Sequence, residues 1–324
     1  MTQSRTLPAL RILLTATLFA LPLALYGCGS SESHELQESD ATFSGSYPIK
    51  IVCTTGMVAD MVAAIGGDRV QADRLMGEGV DPHVYEATFS DNAKLERSDI
   101  VFYNGLHLEP NMQKVFVAIS KKKPVYAVGD YLKDSASEKL IALEGGYFDP
   151  HVWFDPELWG ACVPGVIESL SKFDPDNAAE YKERGDAYQQ KIFELTAYGK
   201  EQIGSLPEPR FLVTAHDAFS YFGRAFNVEV EAIQGVSTEA EASVGRFSEL
   251  IDIMVKNNVK AVFAESSINS KNVEALLEGC AAKDHEVKLG GELYSDALGP
   301  EDSPAGEYLG MVRHNIDTIV KASK

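Results

Sequence analysis

The chain has 324 residues, of which 45% are hydrophobic and 24% charged. That is enough for two average domains of globular composition, and it excludes a disordered chain, a collagen-like fibre and a disulfide-dense miniprotein. Its 29 Lys and Arg against 48 Asp and Glu give a net charge of −19. Such acidity argues against nucleic acid or an anionic lipid surface as partner and fits a cationic one.

Residues 1–27 read as a targeting segment. Arg5 and Arg11 form a basic start, and Ile12 to Leu25 is a largely apolar run of 14 residues. That run is too short to span a bilayer comfortably and right for a signal-peptide core. Leu25-Tyr26-Gly27-Cys28 resembles a bacterial lipobox, so Cys28 is expected to be lipidated and to hold the protein at the outer side of a membrane. Residues 28–46, rich in Ser, Glu and Gly, read as a flexible tether, with His34 a solvated residue in it. Cys53, Cys162 and Cys280 cannot all pair, and the chain has no C-x-x-C. They read as buried small apolar residues, with room for one disulfide.

From residue 47 strand and helix patterns alternate. Ile49–Thr54, Val70–Leu75, Ile100–Tyr103 and Val125–Val128 are predicted strands; Met57–Ile65, Ser90–Glu96 and Pro110–Ile119 are predicted helices, the first ended by Gly66-Gly67. This is an α/β lobe with a mostly parallel sheet, over 47–173. A long helix, about Asn177–Ile203, lies within 174–206 and is read as a strut of roughly 40 Å at ~1.5 Å per residue. The alternation restarts over 207–324. Strands are predicted at Phe211–Thr214, Val228–Ile233, Ala261–Ala264 and Val287–Leu289, and helices at Ala218–Ala225, Glu241–Asn257, Lys271–Lys283 and Glu307–Val320. The fold class is therefore α/β, two lobes joined by one long rigid helix, with the ligand site in the cleft between them.

Four positions carry the chemistry. Asp81-Pro82-His83-Val84 and Asp149-Pro150-His151-Val152 are near copies in loops. Thr214-Ala215-His216 follows the first strand of the second lobe, and Leu293-Tyr294-Ser295-Asp296 follows its last. Ligands in open α/β sheets collect at the carboxyl ends of strands, so His83, His151, His216 and Asp296 can converge. Three imidazoles and one carboxylate complete the coordination of a d-block cation such as Zn²⁺. Asp81 and Asp149 could each accept a ring N–H from the neighbouring histidine, or could cap a turn. His107 reads as structural or surface, His285 and His314 as solvated, and Trp153 and Trp159 as packing. Glu265 could face the cleft, but pairing locally or lying near a helix start is the preferred reading.

Several ordered motifs together carry a resemblance. Thr54-Thr55-Gly56-Met57-Val58-Ala59-Asp60, Gly79-Val80-Asp81-Pro82-His83-Val84-Tyr85-Glu86, Tyr103-Asn104-Gly105-Leu106-His107-Leu108-Glu109 and Asp149-Pro150-His151-Val152-Trp153 resemble those of the zinc and manganese solute-binding proteins of bacterial ABC importers, the TroA-like family. So do Thr214-Ala215-His216-Asp217-Ala218-Phe219-Ser220-Tyr221-Phe222 and Leu293-Tyr294-Ser295-Asp296-Ala297-Leu298-Gly299. The likeness runs from Lys50 to the C-terminus. It implies metal ligands at His83, His151, His216 and Asp296, an ABC permease as protein partner and a monomeric receptor rather than an enzyme. His216, where some manganese members carry Glu, favours Zn²⁺ over Mn²⁺, whereas the absence of a His-rich loop weighs the other way. Handover of a fully coordinated ion then requires lobe motion or docking. Binding through neutral histidines predicts that affinity falls below about pH 6.5. The alternatives are a manganese receptor, a zinc hydrolase, for which no H-E-x-x-H is present, and an added role as a surface adhesin.

Overall fold

The first strand, β1 (Ile49–Cys53), is buried at all but Lys50 and sits at the centre of the first sheet. In this computed structural model the described residues are 36–37 and 39–324. The signal segment 1–27, the lipidation of Cys28 and His34 lie outside them. The described end of the predicted tether is not free chain. The Phe43 N–H donates to the Phe173 carbonyl at 2.6 Å, and its ring packs against Phe173 and Tyr47.

α1 (Gly56–Gly66) starts on a Thr55 cap and ends at Gly67, whose φ of 54° is the left-handed conformation that favours glycine. β2 (Val70–Arg74) follows, then α2 (Phe89–Arg97), opened by a reciprocal capping box between Thr88 and Asp91. β3 (Ile100–Tyr103), α3 (Gln113–Ser120) and β4 (Val125–Ala127) complete a four-stranded sheet in the order β2-β1-β3-β4. All its pairings are parallel.

Three helices here go beyond the sequence reading: α4 (Tyr131–Ser135), α5 (Pro156–Gly160) and α6 (Val163–Phe173). Pro156 and Pro164 look like breaks but stand in the first turn of α5 and α6, where a missing N–H costs nothing.

α7 (Ala178–Gly204) is the predicted long helix, 27 residues and about 40 Å. Its buried positions, Tyr181, Gly185, Tyr188, Ile192, Leu195, Thr196, Gly199 and Ile203, are linked by steps of three and four, a continuous helical stripe. With that stripe it packs on α1, α5 and α6.

The second half holds β5 (Phe211–His216), α8 (Ser220–Phe226), β6 (Glu229–Gln234), α9 (Val244–Lys256), β7 (Ala261–Glu265), α10 (Lys271–Ala281), β8 (Lys288–Leu293) and α11 (Tyr308–Ser323). α8 and α11 also pack on α7. β5 pairs with β6 and β7 with β8, both in parallel, and β5 runs beside β7. β8 continues past the predicted Leu289 through Gly290-Gly291. Its pairing shifts register at Phe263, and a Cβ on Gly290 would stand 2.6 Å from that ring, so the pair of glycines that hides the strand in the sequence is what lets it pack. The three cysteines are buried and free, so the optional disulfide does not form.

Candidate metal centre

His83, His216 and Asp296 sit at the carboxyl ends of strands or in the loops that follow, His151 in the segment between α4 and α5, and all are buried: His83 is 2% exposed, His151 and His216 0%, Asp296 1%. Each histidine is set by a carboxylate. Asp81 accepts from the backbone N–H of His83 at 2.9 Å, a tight Asx turn, and takes the Thr238 hydroxyl at 2.6 Å on its other oxygen. Of its two expected roles, Asp81 therefore fills the turn, not the ring contact. Asp149 fills both: one oxygen accepts from the His151 backbone N–H at 2.9 Å and from its ring Nδ1–H at 2.8 Å.

His216 is the last residue of β5, and Glu265 is the last of β7. Because those strands lie side by side, Glu265 accepts the His216 backbone N–H at 2.8 Å and its Nδ1–H at 2.5 Å. Placing the proton on Nδ1 in His151 and His216 follows from the acceptor-only carboxylate each faces. In the neutral ring, the form that binds an ion, this leaves Nε2 as the lone-pair nitrogen pointing inward. The preferred sequence reading of Glu265, local pairing or a place near a helix start, does not hold; it faces the site and is the partner that orients His216 from 49 residues away.

The Nε2 atoms and the Asp296 oxygens converge. His83 Nε2 lies 3.2 Å from His151 Nε2 and 3.9 Å from Asp296 Oδ2. His151 Nε2 is 3.4 Å from Oδ1, and His216 Nε2 is 3.3 Å from Oδ2. One ligand atom from each of the four lies within 4.8 Å of the others. Bonds of about 2.0–2.1 Å to a tetrahedral ion set ligand atoms about 3.3–3.4 Å apart, so these separations fit a single ion.

None of the contacts to Asp296 is a hydrogen bond, and both of its oxygens and the His216 Nε2 are buried without a partner. Buried polar atoms without partners are costly, and a cation at their centre satisfies all of them at once.

The charges agree with this. Burial pushes His83 down to about 3, leaving its ring neutral. Burial also opposes charge on His151, but Asp149 and Asp296 outweigh it and raise His151 to about 9. Against the same burial, Glu265 and Asp296 hold His216 well above the ordinary imidazole value. Asp296 is held well below the usual carboxylate range because His216 and His151 outweigh its own burial.

The other candidates stand apart. His107 is exposed and stacked on Tyr147 with ring centroids 4.6 Å apart. His285 was expected in solvent but is buried, its Nε2 2.7 Å from the Val259 carbonyl. The turn after α10 brings it against Val259, just before β7, a placement the local pattern does not carry. His314 is half-buried beside the Glu292 carbonyl. Trp153 and Trp159 are wholly buried, as packing requires.

Residues 51–322 match the family described as "ZnuA: Zinc-uptake complex component A periplasmic". The chain is 46% identical over 291 residues to the zinc-binding protein TroA of Treponema pallidum, covering 90% of this chain and 93% of that protein. It is 40% identical over 314 residues to the manganese-binding lipoprotein MntA of Bacillus subtilis, covering 96% and 99%. A third relative, at 29% over 281 residues and covering 85% and 89%, is the metal ABC transporter substrate-binding lipoprotein SsaB of Streptococcus sanguinis. The solved structure of the periplasmic zinc-binding protein TroA from Treponema pallidum superposes with a TM-score of 0.81 at 47% identity, covering 84% of this chain and 98% of that one. Sequence motifs, fold and the buried His/Asp cluster thus agree, and the chain belongs to the ZnuA family of metal solute-binding proteins of bacterial ABC importers.

Proposed function

We propose that this protein captures a divalent transition metal, Zn²⁺ in preference to Mn²⁺, through His83, His151, His216 and Asp296, and delivers it to an ABC permease. One observation carries the reading: ligand atoms from four distant parts of the chain meet in the interior with no hydrogen-bond partner for either oxygen of Asp296. Three imidazoles favour zinc, while the relatives named for zinc and for manganese keep both ions in play. Relatives named as lipoproteins support a lipid anchor on Cys28 and an extracytoplasmic location. Among the described residues no helix is long and apolar enough to cross a membrane. A monomer divided into lobes over 47–173 and 207–324, with a linking helix over 174–206, belongs to the same reading. It is supported by the separate sheets and by α7 packing against helices of both halves.

The test is metal analysis of protein purified without added metal, followed by competition between Zn²⁺ and Mn²⁺. One equivalent of tightly held metal, lost in Asp296→Ala without any hydrolytic turnover in the parent chain, is expected. A chain that takes up no metal, or one whose loaded form turns over a hydrolysable substrate, refutes the receptor.

A further inference from the structure

The segment 149–153 belongs by sequence to the first half, yet the second half holds it. The Tyr221 hydroxyl donates to the Asp149 carbonyl at 2.9 Å, and the Tyr308 hydroxyl donates to the Trp153 carbonyl at 2.7 Å. The Trp153 indole N–H donates to the Ser295 carbonyl at 3.0 Å. From the first half, the Asn104 side chain reaches the Pro150 carbonyl at 3.2 Å. Trp153 is 0% exposed, and its ring meets that of His151 edge-on with centroids 5.2 Å apart. One side chain therefore touches the ring of one ligand and ties down the residue immediately before another.

We propose that Trp153 is a positioning residue that fixes the loop carrying His151 in register with the loop carrying Asp296, and so sets how tightly the ion is held. This rests on the reading that those residues are the ligands. Asp296 needs such support from its backbone because neither of its carboxylate oxygens is hydrogen-bonded. His151 and His216, by contrast, are each oriented by a carboxylate. The bond from Trp153 to Ser295 and the clamp from Tyr308 to Trp153 are the links that make the two loops one unit. Trp159 supplies the internal contrast. It is equally buried, but its indole N–H has no partner.

Zn²⁺ is titrated into the unaltered chain, Trp153→Phe and Trp159→Phe, with affinity read by chelator competition and indole emission followed in parallel. Losing one hydrogen bond between neutral groups is expected to weaken Zn²⁺ binding about 2- to 10-fold in Trp153→Phe. Trp159→Phe is expected to stay within about twofold of the parent, since it loses no such bond. Trp153 is the sole indole in Trp159→Phe, and its emission is expected to change on loading because the ion arrives beside the ring it touches. In Trp153→Phe the metal-dependent change is expected to vanish.

Equal affinities for the two variants, or emission in Trp159→Phe that ignores the ion, overturn the proposal. If Trp153→Phe fails to fold, Tyr308→Phe removes the other link: a 2- to 10-fold loss supports the proposal and parent-like affinity overturns it. An unaltered chain that binds no metal instead overturns the receptor reading beneath it.

Discussion

Lowering the pH from 8 to 6 is expected to weaken metal binding by far more than ordinary histidines would. In the metal-free site His83 is neutral, while His151, raised to about 9, and His216, held well above the ordinary imidazole value, are imidazolium ions. Two imidazolium charges then sit among the carboxylates of Asp149, Glu265 and Asp296. A divalent ion bound by neutral rings carries the same charge as those two protons, so loading is an exchange of two protons for one ion at constant local charge. For a group titrating near 9, the deprotonated fraction falls from about one in ten at pH 8 to about one in a thousand at pH 6. That is about 2.7 kcal/mol, from two pH units at 1.36 kcal/mol each. His151 alone therefore lowers the apparent affinity about 100-fold, His216 shifted in the same direction adds to the loss, and the decline begins near pH 9 rather than at the 6.5 expected for unperturbed imidazoles.

Stability of the metal-free chain moves the opposite way. A histidine whose pKa is raised by folding contributes stability that is full below its unfolded value of about 6.5 and fades as pH climbs through the folded one, about 9 for His151. The depressed pKa of Asp296 contributes above about 3.8 and is lost as pH falls below that. Titration calorimetry in buffers of different ionisation heat is expected to count about two protons released per ion at pH 7. Chelator competition at pH 6 and 8 gives the affinity change, and thermal melts of the metal-free chain give the stability. Release of fewer than one proton, or an affinity change below tenfold, refutes the exchange.

Two substitutions test the supporting structure. Glu265→Gln keeps an oxygen for the His216 backbone N–H but removes the charge facing Nδ1. It is expected to cost 10- to 100-fold in metal affinity, on the order of effects at such partners, and to lower the proton count from two toward one by the same calorimetry. Gly199→Val probes the α7 stripe. A Cβ there would stand 2.2 Å from the Phe226 ring, so overpacking of about 2–3 kcal/mol is expected in urea unfolding.

What the sequence reveals and what it hides divide along one physical line: contacts between neighbours in the chain are legible and contacts between strand ends are not. Asp149 stands two residues from His151, so its role could be suspected from spacing alone. Glu265 does the same for His216 from 49 residues away, and only the adjacency of β5 and β7 brings the two together. Strand cores with β-branched runs, such as Ile49–Cys53, and the uninterrupted α7 were readable because local composition decides them. The sequence pattern carries β8 only to Leu289 because Gly290-Gly291 interrupts the side-chain alternation, and it is the packed ring of Phe263 that demands glycine at 290. His285 looked exposed because nothing local records that the turn after α10 folds it under Val259.

The choice between zinc and manganese turns on Asp296. Its Oδ1 faces His151 and its Oδ2 faces His216 and His83, and no hydrogen bond fixes either oxygen. With one oxygen engaged the site offers four donors, the number zinc prefers, at about 2.0–2.1 Å. With both engaged it offers five, which suits a larger ion that favours oxygen. Both ions are therefore expected to bind, zinc more tightly as the order of divalent affinities requires. X-ray absorption is expected to find about four light neighbours around zinc and five or more around manganese. Asp296→Asn keeps one neutral oxygen and loses the charge and the second oxygen. Zinc retains its three imidazoles and is weakened, while manganese loses the donors it depends on most, so the ratio of zinc to manganese affinity rises. Equal losses for the two ions would mean that Asp296 meets both through a single oxygen, and the argument from its two unpartnered atoms would fail.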